Sequence, residues 1–214
     1  TDVPVPPVVG YCEDPEVTGA PFYVMEFVEG PVIRGPEQAA AFPGADQRHQ
    51  LGEGLIETMA RIHSVDIDQV GLADLGRHDG YVQRQLKRWS GQWEKSKTRE
   101  LPLIEDVHRR LVELAPPQSA VTLVHGDYRL DNVIYSPTGE VAAVVDWELC
   151  TIGEPMADLG LLMVYWREAG DEPIPLIHPA TVEPGFSTRQ ELAERYAEIT
   201  GRDISRLDYF VALG

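Results

Sequence analysis

Between Thr122 and Asp146 three short apolar runs lie so close together that only strands joined by tight turns accommodate them. Thr122 to Val124 is β-branched and apolar and ends at His125-Gly126-Asp127, which puts an acid where a strand opens into a loop. Gly126 lets the backbone turn there. Val133-Ile134-Tyr135 forms a second run, Ser136-Pro137-Thr138-Gly139 supplies turn residues, and Val141 to Val145 is a third run that stops at Asp146. The hairpin predicted from this order returns Asp146 close to Asn132, which follows five residues after Asp127.

Transfer of a γ-phosphoryl group needs a carboxylate to orient and accept the proton of the attacking hydroxyl. It also needs oxygen ligands for the magnesium ions that neutralise the phosphates. Asp127, Asn132 and Asp146 meet both needs. Taken singly, a strand-end Asp and a loop Asn cap turns, and His125 reads as a buried, hydrogen-bonded residue rather than a catalyst.

As an ensemble these residues resemble the catalytic and metal-binding loops of the protein-kinase-like superfamily, in the form seen in the aminoglycoside phosphotransferase and choline kinase-like family. Protein kinases write H-R-D-x-x-x-x-N and then D-F-G; this chain has Gly126 in place of the Arg and Trp147-Glu148 in place of Phe-Gly. The resemblance implies that Asp127 is the catalytic base, that Asn132 and Asp146 are Mg2+ ligands, and that Ile134 floors the adenine of ATP. Arg129, two residues after the base, falls where kinases carry a phosphate-contacting Lys and is expected at the γ-phosphate. Phe22 to Gly30 is a strand-like aromatic and β-branched run that resembles the hinge between kinase lobes. On that resemblance the Glu26 carbonyl and Val28 amide read the base, with Met25 as a wall. Asp158, in Asp-Leu-Gly at the start of an apolar helix running through Trp166, is expected to brace the catalytic loop.

Other helices are predicted over Asp46 to Val65, with Leu51, Leu55, Met59 and Ile62 on one face and His63 packed or capping at its end. Tyr81 to Ser96 and Leu103 to Leu114 are two more, divided near Pro102. Ser187 with Gln190 reads as a capping box for a helix that Gly201 stops. The Pro-rich opening is extended and leads into a strand at Val8 to Tyr11.

The formal net charge of -17 over 214 residues excludes a nucleic-acid or anionic-membrane partner of the usual basic kind. Cys12 and Cys150 lack metal spacing and read as reduced, intracellular thiols. With no apolar stretch long enough to span a bilayer and no leader pattern, the expectation is a cytoplasmic protein. Glu148, Glu154, Asp171 and Glu172 would face a polyamine or be solvated loop acids, and Trp147, Tyr165 and Trp166 would line a pocket or fill the core.

The fold class expected is therefore α+β and protein-kinase-like. Residues 1–30 would be the end of the N-terminal lobe with the hinge strand, and residues 31–214 the helical C-terminal lobe. No phosphate-binding loop or paired Lys precedes Phe22, so the chain is expected to be part of a longer protein. The function implied is an ATP- and Mg2+-dependent phosphotransferase acting on a hydroxyl of a small molecule. The Val144 to Gly160 phrase resembles the branch found alongside acyl-CoA dehydrogenase-like domains, which implies a metabolite acceptor rather than an antibiotic. The alternatives are a catalytically silent kinase-like protein that binds a nucleotide or a partner, and a metal-dependent phosphohydrolase, for which two acids and one Asn make a poor dinuclear site. The oligomeric state is left open.

Overall fold

The computed structural model describes residues 1–172 and 179–214. Among the described residues, three two-stranded antiparallel sheets are set among eight α-helices, and every pairing except the first brings together segments around the predicted catalytic loop. β1 (Val8–Cys12) pairs with β2 (Phe22–Met25) across the short helix α1 (Pro15–Thr18). Helix α2 (Pro36–Ala39) and the long helix α3 (Ala45–His63) follow, then α4 (Tyr81–Ser96) and α5 (Pro102–Glu113). β3 (Thr122–Val124) pairs with β6 (Thr151–Gly153), and between them lies the hairpin of β4 (Val133–Tyr135) and β5 (Val141–Val144). Helices α6 (Pro155–Tyr165), α7 (Arg189–Thr200) and α8 (Leu207–Leu213) complete the chain. Prolines 15, 36, 102 and 155 open their helices, where the missing N–H has no intrahelical partner to lose.

α3 is the spine of the core. Leu51, Leu55, Ile56, Met59 and Ile62 recur at helical spacing and are all buried, each removing apolar surface worth about 1.5–3 kcal/mol. Two tyrosines from the catalytic segment land on its backbone. Tyr128 donates to Leu55 O at 2.9 Å and Tyr135 to Leu51 O at 3.2 Å. Burial raises both phenols far above their usual range, so both stay protonated donors. The core thus fixes the loop that carries Asp127 and Asn132 at two points one helical turn apart.

The expected hinge strand is shorter than Phe22 to Gly30. β2 ends at Met25: the Glu26 amide still donates to Pro7 O (2.9 Å), but Pro7 has no N–H to return, and the chain then leaves to dock along β4. Tyr135 N donates to Pro31 O at 3.0 Å, and Val32 forms an antiparallel bridge with Ile134. A Cβ at Gly30 would fall on the Tyr135 carbonyl, so this close approach needs glycine. The extended opening segment also joins the sheet, with Pro4 O accepting from Val144 N at 2.9 Å. The capping box of α7 sits one residue later than expected. Thr188 Oγ1 accepts from Glu191 N and Glu191 accepts from Thr188 N, while Ser187 is buried against His49 Nδ1 at 2.9 Å. No helix among the described residues is long and apolar enough to cross a membrane.

α6 and α8 cross so closely that a Cβ at Gly160 would lie 2.5 Å from Phe210 C and O. Gly160→Ala is therefore expected to cost about 1–3 kcal/mol in chemical denaturation. Gly10→Ala, where nothing lies within 4 Å, is expected to change stability by less than about 0.5 kcal/mol. Equal stabilities for the two variants would contradict this packing.

Candidate active site

β3 delivers His125-Gly126-Asp127 into a turn that only glycine tolerates. Gly126 has φ +85°, and a Cβ there would meet Leu149 O at 2.7 Å. The two amides at this turn, His125 N (2.7 Å) and Gly126 N (2.9 Å), donate to the carboxylate of Asp158 from the first turn of α6. His63 Nε2 reaches the same carboxylate at 3.2 Å and its Nδ1 meets Tyr196 OH at 2.7 Å. Asp158 is the brace that its position implied. His63 is packed, as expected, and in addition ties the end of α3 to that brace. Burial raises the Asp158 carboxyl, but the hydrogen bond and charge of His63 and the two amides outweigh it, and the group is held below its usual value.

Asp127 and Asn132 are in contact. Asn132 Nδ2 donates to Asp127 O at 2.8 Å and to Asp127 Oδ2 at 3.1 Å. The hairpin returns Asp146 as predicted: Val133 pairs with Val144, and Val145 N donates to Asn132 O at 3.0 Å. Asp146 itself is exposed and has φ 66°, ψ 52°, and among the described residues no other non-glycine has positive φ. Such a conformation costs of order 1–3 kcal/mol and persists where the surroundings over-determine it. The surroundings here are specific. Trp147 donates its indole N–H to Val144 O at 3.0 Å and its ring lies 4.7 Å from that of His125. His125 Nδ1 accepts from Asp127 N (3.3 Å), which fixes the tautomer and makes Nε2 the donor to Val145 O (3.0 Å). His125 is structural, as expected: it joins the loop of Asp127 to the strand end of Asp146.

Arg129 lies against the base. Its Nε is 3.3 Å from Asp127 Oδ1, its Nη1 is 3.1 Å from Asp131 Oδ2, and its Cζ sits 4.8 Å from the Tyr165 ring centroid. Neither contact was expected, although an acid directly before Asn132 is visible in the sequence. Ile134 is half-buried beside the hinge segment through its bridge to Val32. Among the described residues Glu26 O and Val28 N take no part in the loop hydrogen bonds, and Met25 is exposed at the end of β2.

Both readings of Glu154 are corrected. It is neither a substrate-facing nor a solvated acid but fully buried, accepting from Ser119 N (2.5 Å), Ser119 Oγ (2.6 Å) and Met156 N (3.2 Å) as the cap of α6. Asp171 is bound by Arg189 Nη2 at 2.8 Å and Arg167 Nε at 3.5 Å, and the Glu168 amide and these cations lower its carboxyl. Glu148 and Glu172 are exposed. Trp166 is core, Trp147 is half-buried under the loop, and Tyr165 is 42% exposed against Arg129. The cysteines are free, and burial pushes the Cys150 thiol up to about 11, which keeps it protonated and unreactive at neutral pH.

Because the Asp158 carboxyl is depressed in the folded state, its contribution to stability is complete above the unfolded value near 4 and is lost as pH falls through the folded value. Asp158→Asn is expected to lose about 3–5 kcal/mol at pH 7, by orphaning His63 and the loop amides. The gap in melting temperature from wild type should narrow below about pH 4. A gap that stays constant into acid would exclude a carboxylate brace.

A kinase-like phosphotransferase fold accounts for this arrangement, and three comparisons agree. The model of the phosphotransferase enzyme family matches residues 1–207. Acyl-CoA dehydrogenase family member 10 of Mus musculus is 39% identical over 158 residues, 73% of this chain and 15% of that protein. A putative aminoglycoside phosphotransferase from Ralstonia eutropha JMP134 has a similar structure (TM-score 0.83, 35% identity, 100% of this chain and 65% of that one). The aminoglycoside phosphotransferase APH(3'')-Id of Streptomyces rimosus, solved with ADP and streptomycin, shares the fold (TM-score 0.61, 21% identity, 99% of this chain and 75% of that one). The chain thus spans under two thirds of the length of the first two. With the loops, their brace and the family match in agreement, this chain belongs to the phosphotransferase enzyme family.

Proposed function

We propose that the full-length protein transfers the γ-phosphoryl group of ATP to a hydroxyl of a small-molecule metabolite, with Asp127 as the base. The observation that carries this reading is the joint placement of Asp127, Asn132 and Asp146. The Asn132 amide N–H groups face Asp127, which leaves its side-chain oxygen for a cation, and the Val145–Asn132 bond holds the strand end of Asp146 alongside. These are hard oxygen donors, and no group of three or more His, Cys, Asp or Glu among the described residues forms a closed metal cage. Magnesium suits such a site, since it is bound by one or two protein oxygens together with the phosphates of its nucleotide. Asn132 and Asp146 would hold Mg2+, which supplies charge neutralisation on the phosphates.

In this reading residues 1–30 carry the hinge and residues 31–214 the catalytic lobe. Glu26 O and Val28 N face the adenine edge, Met25 walls it and Ile134 floors it. Asp127 orients the acceptor hydroxyl and takes its proton as the oxygen attacks. The carboxylate is held on one side by Asn132, so the lone pair that receives the proton has a fixed direction before the acceptor arrives.

A cleft of about 210 Å³ opens beside Asp127 between α4, α6 and α8, lined by Tyr81, Gln85, Trp89, Leu161, Phe210 and Leu213. We assign it to the acceptor. Glu148, Glu154, Asp171 and Glu172 are absent from its lining. That favours a hydroxylated metabolite over a polycationic antibiotic, which would need several free carboxylates.

The test is ATP consumption by the full-length protein with Mg2+ across aminoglycosides, amino alcohols, sugars and hydroxyacyl-CoA compounds. Turnover with a metabolite that falls about 10²–10⁴-fold in Asp127→Asn is expected. Efficient turnover of aminoglycosides would overturn the acceptor assignment. No turnover together with no Mg2+-dependent nucleotide binding would favour the silent, partner-binding alternative.

A further inference from the structure

Two side chains beside the base have no part in the phosphotransfer reading, Asp131 and Tyr165, and both hold Arg129. Arg129 leaves the catalytic loop extended (φ -158°, ψ 168°), and a tight turn through Leu130–Asn132 closes with Asn132 N donating to Arg129 O at 3.0 Å. That turn carries Asp131 back under the guanidinium, with Oδ2 at 3.1 Å from Nη1. From the far side, the Tyr165 ring at the end of α6 covers the guanidinium face at 4.8 Å. Nε faces Asp127, at 3.3 Å from each carboxylate oxygen. The side chains of Arg129, Asp127 and Asp131 are 28%, 23% and 30% exposed, so water screens these pairs only in part.

A guanidinium is planar and its donors are fixed in direction, unlike the ammonium of a lysine on its flexible stem. Here Nε, Nη1 and one ring face are engaged together. Turning the group toward a phosphate would break the contacts to Asp127, Asp131 and Tyr165 in one movement. The three contacts also converge on a single result, a base carboxylate gripped between the Arg129 fork and the Asn132 amide. We infer that Arg129 is a positioning residue for Asp127, set in place by Asp131 and Tyr165, and not a ligand of the γ-phosphate. This rests on Asp127 being the base. Arg129, Asp131 and Tyr165 also line a second cleft, together with Arg34, Leu162 and Thr181.

The two roles separate in kinetics. A phosphate ligand contributes to nucleotide binding, whereas a residue acting through the base contributes when the hydroxyl proton moves. In the full-length protein, Arg129→Ala and Asp131→Asn are expected to lower kcat about 10–100-fold, the size of effect that a displaced catalytic group produces. Tyr165→Leu should lower it about 3–10-fold, with the Kd for Mg2+-ATP, measured by titration, changed less than about twofold in all three. Because Asp131 acts through Arg129, adding Asp131→Asn to Arg129→Ala should lower kcat no further. Arg129→Lys should fail to restore it, while Tyr165→Phe, which keeps the ring over the guanidinium, should recover the activity that Tyr165→Leu loses.

An Arg129→Ala protein with Kd weakened about tenfold or more would make Arg129 a phosphate ligand and overturn the inference. So would wild-type kcat in both Asp131→Asn and Tyr165→Leu. If Asp127→Asn removes turnover and the Arg129 variants do not, this inference alone fails. If wild type and Asp127→Asn are alike in having no turnover with any acceptor, the assignment of the base fails and takes the inference with it.

Discussion

The structure hangs on one buried carboxylate. Asp158 receives the His125 and Gly126 amides and the His63 ring, so a single group fixes the strand-to-loop turn of β3, the end of α3 and, through His63, the Tyr196 hydroxyl of α7. A buried anion without partners is strongly destabilising, and here the partners come from two elements, the turn after β3 and the end of α3. Each element therefore has to be in place before the charge is satisfied. That requirement couples assembly of the lobe to the geometry of the loop that carries Asp127.

The helix that bears Asp158 is secured at both ends. Its start is capped by the buried Glu154, which also captures Ser119 just before β3, so the strand and the helix that meet at the catalytic turn are joined twice. Its middle admits α8 through Gly160, and its end presents Tyr165 to Arg129. Rigid support of this kind suits a reaction whose catalysis is mostly positioning. The strained residue, Asp146, sits at the end of β5, where a firm scaffold can hold a conformation that a loop by itself would abandon.

Much of this was legible in the sequence because it is local. The hairpin between Asn132 and Asp146, the glycine at the turn and the amphipathic face of α3 follow from spacing and residue type within a short window, while the brace at Asp158 was implied by the family resemblance. The misreadings share a cause. Glu154 was read as a loop acid, since nothing adjacent in the chain reveals that Ser119 will supply two donors to it. The expected hinge run from Phe22 to Gly30 stops pairing early because Pro7, opposite Glu26, has no N–H to offer and β4 receives Pro31 and Val32 instead. The cap of α7 slipped by one residue because Ser187 and Thr188 offer the same chemistry, and only the burial of Ser187 against His49 decides between them.

The sequence by itself determined the chemistry available at the site: an acid, an amide and a second acid brought together by one short hairpin. The tertiary structure decided how those groups are directed. Which carboxylates remain free for an acceptor, which are locked in ion pairs or caps, and which way Arg129 faces all depend on groups far away in the chain. Hydrogen bonds and burial act through space, so local spacing can fix which residues meet within one hairpin but not which distant donors neutralise a charge. For that reason the return of the Asp146 strand end to Asn132 could be read directly, while the surroundings of Glu154, Asp171 and the Arg129–Asp131–Tyr165 cluster emerged only once the helices had packed around them.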